Sequence, residues 1–251
     1  MLTIIGYGAM AEAILKGLQK AKTKMILVRV VGRDKEKLRR IQTLYSVHTA
    51  LLQENIWIKD ENVILAVKPN ALEEVAGHLR GTAKILISIL AGTPIAKIRR
   101  AIRANSYVRA MPNIAAAKQA SITSLTGDLE AKEFAMELFQ VIGRTIWLNS
   151  EKELDIATAI AGSGPAFLAQ VAEALMDGGV ACGLKREVAK ELVDGLFFSY
   201  SSIADTHPTF IKEKVMSPAG TTAAGYKALE DKGVRAAFME AVIKAFERTQ
   251  R

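Results

Sequence analysis

The sequence predicts an α/β chain in two parts, a doubly wound parallel sheet over residues 1–148 and an all-α region over residues 149–251. Three observations carry that prediction. Short β-rich runs alternate with helical patterns in the first part, the strand signals stop near Asn149, and alanine-rich helical stretches take over beyond it.

The β-rich runs fall at residues 2–5, 26–31, 62–67, 85–90, 106–111 and 144–148. Intervening segments such as 9–18 and 93–102 have the length of crossover helices, so the strands are expected to run parallel with helices on both faces. In the last stretch Ala237, Phe238, Ala241, Val242, Ala245 and Phe246 recur at helical spacing and form one apolar stripe, away from Glu240, Lys244 and Glu247. A helical region of about 100 residues with small alanine-rich faces often completes its core against a second subunit, so a homo-oligomer is expected. A self-contained bundle is the alternative.

Composition narrows the function classes. Half of the 251 residues are apolar, which excludes a disordered chain. Lysine and arginine outnumber the acids 34 to 26 for a net charge of +8, but residues 35–40 and 185–190 interleave Glu36 and Glu187 among them, as solvated faces do, so no nucleic-acid partner is expected. Cys182 is the single cysteine and is expected to be a small buried packing residue. It cannot form an intramolecular disulfide or a multi-thiolate site. His48, His78 and His207 have no ligand-like spacing, and no metal is expected. No basic leader precedes the apolar residues 1–5, which predicts a cytoplasmic protein. The most apolar stretch, 156–171, is shorter than the ~20 residues of a membrane helix. It is expected to be broken by Gly162, Ser163, Gly164 and Pro165, and no membrane partner is expected.

Chemistry enters at residue 6. Gly6, Tyr7, Gly8, Ala9, Met10 and Ala11 follow the first strand and open a helix, which is the Rossmann dinucleotide fingerprint in its context. Gly6 permits the tight turn, Gly8 lets amides approach a pyrophosphate, and Ala11 is small enough for the helix to pack on the strand. The partly positive helix start faces the phosphates. At the end of the second strand, where an acid would grip the 2′-hydroxyl of NAD, stands Gly32 followed by Arg33 and Asp34. The Arg33 guanidinium suits a 2′-phosphate, which favours NADPH over NADH, although Arg33 could simply cap the loop while Asp34 starts the next helix. Ala66, Val67, Lys68 and Pro69 close the strand that starts near Asn62, and Ala91 and Gly92 close the next. Ligands of open α/β sheets bind outside the carboxyl ends of strands, so both loops are expected to flank the cofactor. Lys68 either supplies charge near the phosphates or marks a helix entrance.

Ser217, Pro218, Ala219, Gly220, Thr221 and Thr222 form the second cluster. Such a loop leading into a helix leaves backbone amides unpaired and adds two hydroxyls, a donor set suited to a small carboxylate. An ordinary capped helix start has the same composition.

This run, with His207 and Pro208 upstream and Gly225 downstream, resembles the Ser-Pro-Gly-Gly-Thr-Thr signature of pyrroline-5-carboxylate reductases. Residues 6–13, 66–69, 109–113, 161–166, 173–174, 177–180 and 183–184 are similar to further motifs of that family in the family's order. The resemblance implies a nucleotide domain, a helical domain that interleaves with a partner, often rings of such dimers, and reduction of a cyclic imine, 1-pyrroline-5-carboxylate, to L-proline. It implies that residues 217–222 hold the substrate carboxylate, that Thr222 lies near the ring nitrogen as the catalytic hydroxyl, and that Met111, Pro112 and Asn113 lie beside the nicotinamide. NADH is the alternative carrier. Departures from the pattern are Ile114 and Ala115 in place of Thr-Pro, Ala219 in place of glycine, Asp205 where glutamate is common, and an unrecognisable stretch over 192–199. Two other readings compete. A 3-hydroxy-acid dehydrogenase would rely on a helical-domain lysine, and Lys185 and Lys190 lack that signature; a nucleotide-sensing protein would bind without turnover.

Overall fold

The computed structural model describes residues 1–20, 27–53 and 55–250. In chain order the first part comprises β1 (Leu2–Ile5), α1 (Ala9–Lys20), β2 (Val28–Gly32), α2 (Lys35–Tyr45), β3 (His48–Leu51), β4 (Ile56–Trp57), β5 (Asn62–Leu65), α3 (Leu72–His78), β6 (Leu79–Arg80), β7 (Ala83–Ser88), α4 (Ile95–Ala101), β8 (Ala104–Met111), β9 (Ser121–Gly127), α5 (Lys132–Gln140) and β10 (Gly143–Trp147). Helices α6 (Glu151–Ala157), α7 (Gly164–Ala181), α8 (Arg186–Ser202), α9 (Pro208–Val215), α10 (Thr221–Asp231) and α11 (Val234–Thr249) follow. Ile26, the expected start of the second strand, lies outside the described residues.

The main sheet has the order β10-β9-β8-β7-β5-β1-β2-β3. Its strands alternate side chains between two cores, as a sheet covered on both faces must. Leu2, Ile4, Ile64 and Ile87 enter the core that includes α1 and α5, whereas Ile5, Val63, Leu65 and Leu86 enter the core that includes α3 and α4. All eight of these side chains are fully shielded from water, and each contributes about 1.5–3 kcal/mol by burial.

One expectation fails here. The sheet is not parallel throughout, because β9 pairs antiparallel with β8 while β10 pairs parallel with β9. The connection over 112–120 is too short for a crossover, and a chain turning back that quickly pairs antiparallel. Strand β9 also reads as polar, Ser-Ile-Thr-Ser-Leu-Thr-Gly, yet Ser121, Thr123, Ser124 and Thr126 are buried. Three of these hydroxyls find partners: Ser121 Oγ accepts from Asn113 N at 3.0 Å and lies 3.3 Å from Thr123 Oγ1, and Thr126 Oγ1 donates to the Leu148 carbonyl at 2.9 Å.

The chain divides into two compact units, Met1–Ser163 with Ala245–Arg251, and Gly164–Lys244. Helix α6 belongs to the first, its Leu154 fully buried. The expected break at residues 162–165 is confined to one turn residue, Ser163, between a π-helical turn over Thr158–Gly162 and the start of α7 at Gly164. Residues Glu151–Ala181 thus form one largely helical run made of α6, that π turn and α7. Pro165 falls in the first turn of α7, where a missing N–H removes no helical bond. By length and composition alone this run is apolar enough to cross a membrane.

In the second unit the described apolar residues reach burial only at Ala189 and Val193 of α8. Cys182, expected to be buried, is exposed, because it lies in the turn after α7 where the single chain provides no cover. The predicted stripe on α11 is partly covered at Ala241, Val242, Ala245 and Phe246.

Candidate functional site

The first unit carries a cleft of about 870 Å³ outside the carboxyl ends of β1, β2 and β5. Gly6, Tyr7, Gly8, Ala9, Met10 and Ala11 form its floor, and Arg33, Ala66, Val67 and Lys68 stand on its walls. Gly6 has φ +114, and a Cβ there would stand 2.2 Å from the Ala66 carbonyl oxygen, so no other residue fits the turn. Gly8 is free of its neighbours: a Cβ would meet nothing within 4 Å and would project from a cleft-lining residue. No neighbour in the structure requires glycine at this position. Ala11 is buried, which lets α1 lie close on β1, and the first main-chain bond of the helix runs from Glu12 N to Gly8 O, leaving the amides before it outside the helical ladder. This cradle fits a dinucleotide pyrophosphate.

The rim is charged. Arg33 Nη1 lies 3.1 Å from each carboxylate oxygen of Glu74 on α3. Asp34 caps α2 by accepting from the amides of Glu36 and Lys37. Lys37 Nζ stands over the Tyr7 ring, 5.7 Å from its centroid, and Arg40 Nη2 donates to Glu12 Oε1 at 2.9 Å. Glu12 also accepts from the Tyr45 hydroxyl at 3.1 Å. Burial and then this hydrogen bond push the Tyr45 phenol above its ordinary pKa. Gly32 has its own constraint, since a Cβ there would stand 1.9 Å from the Tyr7 ring.

Lys37, Arg40, Asn70 and Glu74 line the cleft although the sequence does not single them out. Arg33, Lys37 and Arg40 recur at i, i+4 and i+7, a spacing that puts them on one side of the α2 entrance and could have flagged the first two additions. Glu74 has no such signal. Lys68 fulfils both of its alternatives, lining the cleft and preceding the short 3-10 turn Pro69–Ala71. Pro69, Ala91, Gly92 and Asn113 lie outside the cleft lining. Gly92 has φ +62 and packs near the Thr249 carbonyl. The Asn113 side chain accepts from Ala115 N at 3.0 Å and donates to the Ala161 carbonyl at 3.1 Å, so it pins the turn after β8.

The second cluster belongs to the second unit. Gly220 N donates to the Ser217 carbonyl at 3.0 Å, closing a turn with Pro218 second and Ala219 third. Ala219 has φ +58, the left-handed value that third position takes in such turns. Gly220 caps α10, and a Cβ on it would stand 2.4 Å from Ser217 Oγ. Thr221 and Thr222 occupy the first turn of α10 with exposed side chains. The first main-chain bond of the helix runs from Ala224 N to Gly220 O, so the amides of 221–223 remain as donors at an open surface.

Comparison with known proteins agrees with both halves. Residues 151–251 match the family described as pyrroline-5-carboxylate reductase dimerisation, and residues 1–92 match the family described as NADP oxidoreductase, coenzyme F420-dependent. The chain is 37% identical to the pyrroline-5-carboxylate reductase of Synechocystis sp., an alignment that covers 99% of this chain and 97% of the relative. The chain belongs to the pyrroline-5-carboxylate reductase family. Membership places it among the pyridine-nucleotide oxidoreductases. The crystal structure of 1-pyrroline-5-carboxylate reductase from Streptococcus pyogenes superposes with a TM-score of 0.87 at 29% identity, covering 99% of this chain and 97% of that one. Pyrroline carboxylate reductase from Plasmodium falciparum, solved with NADP bound, gives a TM-score of 0.82 at 26% identity, with 99% and 98% covered. Within the family's frame, the Rossmann-like fold and the helical region are as the sequence predicts.

Proposed function

We propose that this chain reduces 1-pyrroline-5-carboxylate to L-proline, the last step of proline biosynthesis, with NADPH as the preferred hydride donor and NADH as a weaker one. The observation that carries the reading is the glycine cradle at residues 6–11, built with the clearance at Gly8 that a bound pyrophosphate requires, in a chain of this family. When bound, the reduced nicotinamide supplies the hydride. The protein's residues position and select. Arg33, with Lys37 beside it, provides cationic charge at the rim for a 2′-phosphate. Ala66, Val67, Lys68 and Pro69, the turn at Ala91 and Gly92, and the segment at Asn113 are assigned to the cofactor side.

Ser217, Ala219, Gly220, Thr221 and Thr222 are assigned to the substrate. The free amides of the α10 first turn receive the carboxylate, and the Thr222 hydroxyl orients the ring nitrogen, which solution water protonates. No histidine or carboxylate pair is needed, because a protonated cyclic imine is already a strong hydride acceptor. Water exclusion requires a cover that the exposed Thr221 and Thr222 lack in the single chain. A homodimer, or a ring of dimers, supplies it. Neither nucleic acid nor membrane is assigned as a partner, and the exposed thiol of Cys182 suits the reducing cytoplasm.

The test follows NADPH absorbance while 1-pyrroline-5-carboxylate is added, with 3-oxo acids and NADH as controls. Oxidation on the imine is expected; oxidation only on 3-oxo acids, or binding without turnover, would displace the reading. Thr222→Ala should lower kcat by about ten- to a hundredfold, the scale of a lost positioning hydrogen bond in a site, while circular dichroism stays unchanged.

A further inference from the structure

At the cleft rim Arg33 and Glu74 meet in a way the cofactor assignment does not require. Arg33 Nη1 is 3.1 Å from both oxygens of the Glu74 carboxylate, and the two side chains are 63% and 49% exposed. Both line the cleft. The place at the end of β2 where an acid would meet a ribose hydroxyl is Gly32, and the Tyr7 ring fills the space its side chain would need. A carboxylate is thus kept off β2 and delivered to the neighbouring guanidinium from α3 instead. Carboxylate and phosphate both offer paired oxygens to a guanidinium, so they compete for the same donors.

Resting on the reading that this cleft takes a pyridine nucleotide, we infer that Glu74 is a specificity-determining residue that restrains the preference for a 2′-phosphorylated cofactor. To hold a 2′-phosphate, Arg33 must release Glu74 or share its donors, and the carboxylate then faces a second anion. A nucleotide with a free 2′-hydroxyl leaves the pair undisturbed. The balance between the two carriers is therefore set by a residue on α3 as well as by the cations that follow β2 and stand on α2.

Calorimetric binding of 2′,5′-ADP and 5′-AMP to wild type and to Glu74→Gln tests this, since glutamine keeps the shape and removes the charge. The variant should bind 2′,5′-ADP about three- to tenfold tighter, with 5′-AMP changed less than about twofold, and the gain should shrink in high salt because both groups face water. In an Arg33→Ala background the gain should fall by about half or more, as a coupled pair requires. Unchanged or weaker 2′,5′-ADP binding by Glu74→Gln, or an equal gain for both nucleotides, overturns the role of Glu74 and leaves the cleft a nucleotide site. If wild type binds neither NADPH nor 2′,5′-ADP, the cofactor reading itself fails and takes the inference with it.

Discussion

Ala219 holds a left-handed backbone, φ +58, that costs a residue with a Cβ about 1–2 kcal/mol. Ala219→Gly should therefore raise stability by up to about 1 kcal/mol in urea unfolding, the relief being partly offset by a freer unfolded chain. Ala219→Val, branched at Cβ in the same position, should raise KM for the imine several-fold with little change in KM for NADPH, because it distorts the turn that presents the α10 amides. Steady-state kinetics with each substrate varied would check the split. At Tyr45 the raised phenol pKa favours the neutral ring in the folded state. That contribution is fully present below the ordinary pKa of about 10 and is lost as pH rises through the higher folded value. Melting curves from pH 8 to 11 should fall more steeply for wild type than for Tyr45→Phe. Gly6 and Gly8 were legible because the fingerprint is contiguous and its steric demands are local. Glu74 was not, because its meaning comes from a guanidinium brought to it by the sheet order β5-β1-β2, which no local pattern encodes.

Between elements, the most demanding contact joins β8 to α6. Arg109 is 1% exposed, with Nη1 3.0 Å from Glu151 Oε1 and Nη2 2.7 Å from Asp155 Oδ1. Glu151 also accepts from Ile95 N at 2.9 Å, at the start of α4, and Asp155 Oδ2 accepts from Gln250 Nε2 at 3.3 Å. One buried cation thus ties the sheet to α4, α6 and the residue that follows α11. Removing it leaves Asp155, 13% exposed, without its cation while Glu151 still reaches water, so Arg109→Ala should cost about 3 kcal/mol in denaturant unfolding. The sequence marks Arg109 only as part of a motif beside the cofactor segment, since a strand arginine says nothing about which helix will neutralise it. Apolar strands such as β1, β5 and β7 were readable from their runs, while β9 was hidden by serine and threonine, of which Ser121 and Thr123 bond to each other inside the sheet. The shortness of the break at residues 162–165 was hidden for a related reason: glycine and proline signal a longer loop unless a π turn and a helix start lie next to each other there.

For the whole chain, the decisive quantity is apolar surface. Phe198 is 76% exposed, Leu192 59%, Leu196 54% and Phe210 57%, far more than an isolated soluble bundle leaves open. At about 25 cal/mol per Å² such faces reward association strongly. Phe198→Asp should shift the species seen by light scattering toward the monomer and lower the melting temperature. In wild type the melting temperature should rise with protein concentration, as it must when subunits share a core. The sequence anticipates this assembly through its alanine-rich faces, whereas the size of the exposed patch emerges only when the helices are folded and found to bury little more than Ala189 and Val193.

The route of the chain through its two units has a practical outcome for anyone wishing to cut it. Gly164–Lys244 leave the first unit and return to it, so the helical unit is an insert anchored at both ends rather than a tail. A stop after Ser163 would remove more than the association surface. It would strip away Gln250, which bonds Asp155, and Thr249, whose carbonyl lies against the left-handed turn at Gly92. A faithful nucleotide-domain fragment must therefore be made by excision and splicing, with the last turn of α11 retained.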